Sequence, residues 1–346
     1  MKTAVFKKAG FVTVEETAKP TIQADDDVII KVIRTCVCGS DLWAYRGLQT
    51  HNPELINDGH EALGIVEETG SAITTVKKGD FVIAPFTHGC GHCEACLAGY
   101  DGVCLNHKQN FSANAQAEYM RFSHGQWALV KVPGKPEDYT EDMIASLLTL
   151  ADVMATGYHA ARTANVQPGD TALVIGDGAV GLCGVISAKL RGAKQIILMS
   201  HHEDRAALGK DFGATEIVSE RDDAAIEHVM QLTNNAGADA VLECVGAEQS
   251  THQAIVCARP GAKIGRVGLP HGSSMDPAET FYRNVQLTGG PAPVTTYDKQ
   301  KLLKAVLDGQ INPGRVFTKS YSLDEINQAY QDMANRKTIK ALIKMY

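Results

Sequence analysis

The chain has 346 residues, 44% of them apolar and 21% charged. That is the make-up of a globular protein with material for two domains, and it excludes a disordered tail protein. Lys plus Arg number 33 and Asp plus Glu 40, a formal charge of −7, so no general field draws the chain to nucleic acid or to an anionic membrane.

The opening MKTAVFKKAGFVTVEE carries no apolar run behind its lysines, so no signal peptide is expected. The charge-free stretch at 178–188 is too short to cross a bilayer. A cytoplasmic protein is expected. Residues 28–32, 62–68, 80–84 and 116–122 are short strand patterns between Gly, Pro and Asp turns, which predicts a β-rich first domain with long loops. A helical pattern spans 143–161, and the domain boundary is expected near 152–160. From 171 onward, strand patterns at 171–176, 195–200, 215–219, 240–246, 263–269 and 285–290 alternate with helical ones through 189 and over 204–212. Such alternation implies βαβ units and a parallel sheet covered on both faces. Helices near 298–307 and 323–335 and a closing strand, KALIKMY, could complete the first domain. The expected organisation is therefore 1–152, 153–293 and a return segment, 294–346.

Two motifs stand out. GDGAVG, residues 176–181, follows an apolar strand and opens a helix, the context a dinucleotide-binding turn requires. Gly176 permits the tight turn, Gly178 lets the backbone approach a pyrophosphate, and Gly181 lets helix and strand pack closely. The helix N-terminus offers free N–H groups to the anion. An ordinary βα turn is the bland alternative. The second motif is CGHCEACLAGYDGVC, which places Cys90, Cys93, Cys96 and Cys104 as C-x2-C-x2-C-x7-C. The chain has nine cysteines, and in a cytoplasmic protein such clustering favours metal over disulfide. Four thiolates close a tetrahedral zinc site and leave no position for chemistry, so this site is expected to be structural. Free buried thiols and an iron–sulfur cluster are the alternatives, and no Pro follows Cys104. His88 and His92 are expected as solvated loop residues.

Single residues are less specific. CGSD at 38–41, GHE at 59–61 and Asp152 supply Cys, His and carboxylate groups, the ligand types of a catalytic zinc with one open position. Cys36 rivals Cys38, because in a strand both face the same side.

Together these residues resemble the zinc-containing medium-chain alcohol dehydrogenases. GHEALGIVEETGSAI, residues 59–73, matches that family's zinc signature, G-H-E-x2-G-x5-G-x2-[IV], without a break, and the likeness covers essentially the whole chain. The resemblance implies an α/β protein with a GroES-like β-rich catalytic domain and a Rossmann doubly wound parallel sheet. It implies two zinc ions per chain: Cys38, His60 and Asp152 as catalytic ligands with Glu61 able to approach, and the four-Cys lobe as the structural site. Asp41 resembles the residue that fixes the ligand histidine, and Ser40 the hydroxyl that takes the substrate's proton. Thr156, Val180 and Lys340 match positions near the coenzyme. Where many members carry a proton-relaying His, this chain has Trp43.

The implied activity is hydride transfer between an alcohol, expected to be secondary, and NAD(P), in a homodimer or homotetramer. A polyol or amino-alcohol dehydrogenase is the same-scaffold alternative. Zinc-free quinone reductases share the fold, but Cys38, His60 and the four-Cys lobe argue against them. A zinc-module protein for nucleic acid is opposed by the charge and by the lack of a basic or aromatic stripe. No nucleic-acid or membrane partner is expected. NADP is the expected coenzyme. NAD enzymes end the second strand on a carboxylate that binds the ribose 2′-OH, and here that strand ends on Ser200, followed by His201, His202 and Arg205 as donors.

Overall fold

The computed structural model describes residues 1–106, 111–270, 275–293 and 296–346, with the backbone alone for 296–298. Two compact units emerge, Met1–Asp152 with Pro293–Tyr346, and Val153–Ala292.

The first unit is built on a mixed seven-stranded sheet. Its central strand, Val28–Val37 (VIIKVIRTCV), is buried along most of its length. It continues five residues beyond the apolar run read from the sequence, because it has a partner along its whole length. It pairs antiparallel with Ala62–Thr69, with Tyr119–Phe122 and with the closing strand Lys340–Lys344. Val28, Ile30, Val32, Val66, Val82, Met120 and Phe122 form its core. A hairpin of Lys2–Lys8 and Phe11–Glu16, absent from the sequence reading, lies in a separate two-stranded sheet. The strand Phe317–Ser322 also went unread and pairs with the closing strand.

The helical pattern at 143–161 is two helices, Glu141–Thr149 and Val153–Thr163. Leu150, Ala151 and Asp152 bond back three residues rather than four, which tightens and ends the first helix. The freed carbonyl of Ala151 accepts the N–H of Phe86 at 2.9 Å. That bond fixes the chain where Asp152 leaves the helix.

The second unit is an all-parallel six-stranded sheet. Its order is Glu216–Val218, Gln195–Met199, Thr171–Ile175, Ala238–Glu243, Ala258–Arg266, Gln286–Gly289. This is the 3-2-1-4-5-6 order of the doubly wound dinucleotide fold, whose ligands lie beyond the carboxyl ends of the strands where the order reverses. The residues after Ile175 stand at that reversal. Among the described residues, no helix is long and apolar enough to cross a membrane.

Candidate functional site

Two antiparallel strands deliver one cluster of donors. Thr35 pairs with Ala62, so the residues just after the central strand meet those just before its neighbour. Cys38 comes from the first, His60 and Glu61 from the second, and Asp152 from the break between the helices. Their ligand atoms all lie within 4.8 Å of one another. Cys38 Sγ is 3.4 Å from Asp152 Oδ2, and His60 Nε2 is 3.6 Å from the same oxygen and 4.0 Å from Glu61 Oε1. Cys38, and not Cys36, joins the cluster, and the end of the strand explains why. Val37 is its last residue, so Cys38 has left the alternation that made the two equivalent. Cys36 stays buried in the strand, its thiol pushed up by burial and by Glu61.

The surroundings fix each donor. Asp41 is buried, and its Oδ2 accepts the Cys38 N–H at 2.9 Å and the Gln116 side-chain amide at 3.4 Å. His60 Nδ1 lies 2.8 Å from the Asp58 carbonyl and 3.3 Å from Asp41 Oδ1. The shorter contact is the hydrogen bond; the longer one is a charge contact. Either way Nδ1 is turned to the protein and Nε2 to the cluster. Gln116 also donates to the Cys36 carbonyl and accepts from the Tyr330 hydroxyl at 3.0 Å. Neither Gln116 nor Tyr330 carries a sequence signal. Burial would lower the His60 imidazole, but Asp41, Asp152 and Cys38 hold it well above its ordinary value. Burial raises the Cys38 thiol and the Glu61 carboxyl against the pull of Lys340.

Lys340, expected near the coenzyme, is buried, and its Nζ donates to Glu61 Oε1 at 2.6 Å and to the Val37 carbonyl at 3.4 Å. The register explains this: Ala341 pairs with Val37, which sets Lys340 beside the end of the central strand. Ser40 is exposed at the start of the short helix Asp41–Tyr45, and its hydroxyl makes no cap. The donor set suits zinc, which takes thiolate, imidazole and carboxylate ligands. Glu61 Oε2 is buried with no hydrogen-bond partner among the described residues.

The second cluster is the four-Cys lobe. Cys90, Cys93, Cys96 and Cys104 also place their sulfurs within 4.8 Å of one another. Backbone N–H groups point at the sulfurs: Cys93 donates to Cys90 Sγ, Leu105 to Cys93 Sγ and Cys90 to Cys104 Sγ, each at 3.4 Å. Backbone N–H groups of Cys96 and Leu105 pull the Cys93 thiol down to about 6, whereas burial raises Cys96. Four clustered sulfurs, three of them accepting backbone N–H groups, suit a thiolate metal site. The lobe has little core of its own, since Leu97, Tyr100, Val103 and Leu105 are exposed. His92 is exposed as expected. His88 is not: it is buried, its ring 5.3 Å from that of Phe122, because the lobe's first residues pack against the sheet.

In the second unit, Gly176 has φ +110° and Gly178 caps the helix Ala179–Leu190. A Cβ on Gly181 would stand 1.9 Å from the Gly176 carbonyl, so only glycine allows this approach. Val180 sits in the helix's first turn, and Thr156 is buried in Val153–Thr163. The strand ends at Met199, so Ser200 is the residue just past it rather than its last, and the place is not without a carboxylate. Asp177, from within the glycine motif, reaches it: Ser200 Oγ donates to Asp177 Oδ2 at 2.9 Å, His202 Nδ1 is 2.8 Å from the same oxygen, and Arg205 donates to Oδ1 at 3.3 Å. His201 turns away to the Ser219 carbonyl. Glu203 and Asp204 face solvent.

Comparison with known proteins agrees with this fold. The alcohol dehydrogenase GroES-like domain model matches residues 24–134, and the zinc-binding dehydrogenase model matches 179–306. The chain is 31% identical to the zinc-type alcohol dehydrogenase-like protein AdhB of Bacillus subtilis, over 99% of this chain and all of that one. It is 30% identical to the glutathione-independent formaldehyde dehydrogenase of the same organism, over 96% and 93%. Alcohol dehydrogenase TADH from Thermus sp. ATN1 superposes with a TM-score of 0.89 at 27% identity, covering 99% of both chains. The chain belongs to the zinc-containing medium-chain dehydrogenase/reductase family and is a zinc-type alcohol dehydrogenase-like oxidoreductase.

Proposed function

We propose that the protein is an NAD(P)-dependent alcohol dehydrogenase and carbonyl reductase that acts on a secondary alcohol and favours NADP(H). The convergence of Cys38, His60, Glu61 and Asp152 within 4.8 Å carries the reading. Cys38, His60 and Asp152 would hold the catalytic zinc, and the four-Cys lobe a structural one. A zinc ion held there would supply Lewis acidity toward a substrate hydroxyl, and a bound nicotinamide coenzyme would supply the hydride acceptor or donor.

The chain's own residues do the rest. Asp41 holds the turn at Cys38 and faces His60, and Gln116, itself held by the Tyr330 hydroxyl, donates to Asp41. Lys340 keeps Glu61 ionisable inside the protein by pairing with it. Ser40, whose hydroxyl is not spent on capping, takes the substrate's proton; with Trp43 in place of a relay histidine, Trp43 lines the substrate side. Gly176, Gly178, Val180 and Gly181 receive the pyrophosphate at the helix N-terminus, with Thr156 nearby. Ser200, His202 and Arg205 oppose three donors to the one carboxylate of Asp177, which favours a 2′-phosphate. A cytoplasmic homodimer or homotetramer completes the reading on family resemblance.

The test is an oxidation screen of small secondary and primary alcohols, diols and amino alcohols with both coenzymes, following the reduced nicotinamide, beside a nucleic-acid filter-binding assay. Turnover of secondary alcohols with NADP, and no retained nucleic acid, is expected. Turnover confined to polyols or amino alcohols would transfer the protein to that alternative. Ser200→Asp should flatten the NADP preference.

A further inference from the structure

The three donors at the end of the strand Gln195–Met199 converge on one anion, and in the free protein that anion is a side chain of the glycine motif. Ile175 pairs with Met199. The residue two places past one strand therefore stands beside the residue one place past the other. Asp177 and Ser200 meet there. Ser200 is 1% exposed and the Asp177 side chain 13%, so the carboxylate is largely withdrawn from water. Burial would raise it, but His202, Ser200 and Arg205 together hold it below the usual carboxylate range, and it stays ionised. The turn itself does not demand an aspartate: the positive φ belongs to Gly176, and Asp177 is not among the positive-φ residues.

We propose that Asp177 discriminates between the two nicotinamide coenzymes: its carboxylate fills the anion pocket of Ser200, His202 and Arg205, accepts a ribose 2′-hydroxyl, and competes with a 2′-phosphate for the same donors. This rests on the coenzyme reading given above. NAD sites carry this carboxylate on the second strand; here it arrives from the end of the first. A 2′-phosphate entering the pocket gains Ser200, His202 and Arg205 as donors and meets the charge of Asp177 at close range. The preference for NADP(H) is thus held down by a built-in competitor.

The experiment measures 2′,5′-ADP and 5′-AMP binding by calorimetry for wild type, Asp177→Asn and Asp177→Ser, with melting curves of each. The amide keeps the shape of the carboxylate without its charge. Both variants should tighten 2′,5′-ADP relative to 5′-AMP by about tenfold or more, a difference of about 1.4 kcal/mol. Asp177→Glu should not. If Asp177 only braces the turn at 200–205, the folded variants will lose Tm and bind both fragments less well with their ratio unchanged. That result, or a shift toward 5′-AMP, overturns the proposal. The wild-type ratio is a separate outcome. A wild type that prefers 5′-AMP, with variants that move toward 2′,5′-ADP, rejects the NADP preference and retains Asp177 as the discriminator. A wild type that prefers 2′,5′-ADP, with unchanged variants, does the reverse.

Discussion

The two donor clusters of the first unit differ in how they are assembled. The four sulfurs of the lobe come from fifteen consecutive residues, 90–104, and three of them accept backbone N–H groups from that stretch or from Leu105, the residue after it. The other cluster gathers Cys38, His60, Glu61 and Asp152 from separate segments, and charged side chains surround it: Asp41 beside His60, and Lys340 against Glu61. A homogeneous thiolate set closes on a metal and holds a peptide lobe together. The mixed set carries two carboxylates, one of which keeps a buried oxygen with no hydrogen-bond partner among the described residues, and the proposed function uses this set for catalysis. On the reading proposed above, the first arrangement serves stability and the second serves chemistry.

Substitutions can break this contrast. The largest effect belongs to His60→Ala, which removes a proposed ligand from the mixed set. Turnover should fall by about a thousandfold or more, since several kcal/mol of Lewis-acid stabilisation are at stake, while 5′-AMP binding persists. A loss of less than about tenfold would place the chemistry elsewhere. Ser40→Ala should slow turnover by about a hundredfold and Ser40→Thr should retain it; equal rates for alanine and wild type would remove the proton relay from the mechanism. Cys93→Ser acts on the other cluster. It should lower Tm by on the order of 10 °C, because the lobe's apolar side chains are exposed and a segment of this size has no core to fall back on. An unchanged Tm would mean that the lobe stands without its metal.

A smaller effect sharpens how the lobe is tied to the rest of its unit. Lys299 is buried, donates to the Ala128 carbonyl, and is pushed down by burial to about 7 against the pull of Asp101, which lies in the lobe. The unfolded chain keeps this proton to about 10.5, so the folded state binds fewer protons between the two values and gains stability as pH rises through that window. The burden of the buried cation is complete below about pH 7. The Tm of Lys299→Met minus that of wild type should therefore fall between about pH 6 and about pH 10. A constant difference would show that Lys299 titrates normally.

The same contrast explains what the sequence made legible. The lobe's ligands and the glycine motif are local, so spacing alone identifies them. The six parallel strands were readable because each is a short apolar run bounded by turns. The mixed cluster depends on register, which spacing does not carry. Cys36 and Cys38 are equivalent until the strand is seen to end at Val37. Lys340 comes to Glu61 because Ala341 pairs with Val37, an event three hundred residues apart in the chain. Asp152 owes its place to a helix break that hydrophobic periodicity does not mark, since both helices share one continuous apolar pattern. Asp177 was passed over because it sits inside a motif read for its glycines. A carboxylate two residues past the first strand was the available signal.

The central claim is that the two clusters hold separate metals with separate duties. Zinc content by elemental analysis, with Tm and turnover measured on the same samples, tests it in wild type and Cys38→Ser. Wild type should carry two ions per chain, one for each cluster. Cys38→Ser should lose about one equivalent and nearly all turnover, with Tm close to wild type. A Cys38→Ser protein that retains both ions and normal turnover, or a wild type that binds no more than one ion, would contradict it.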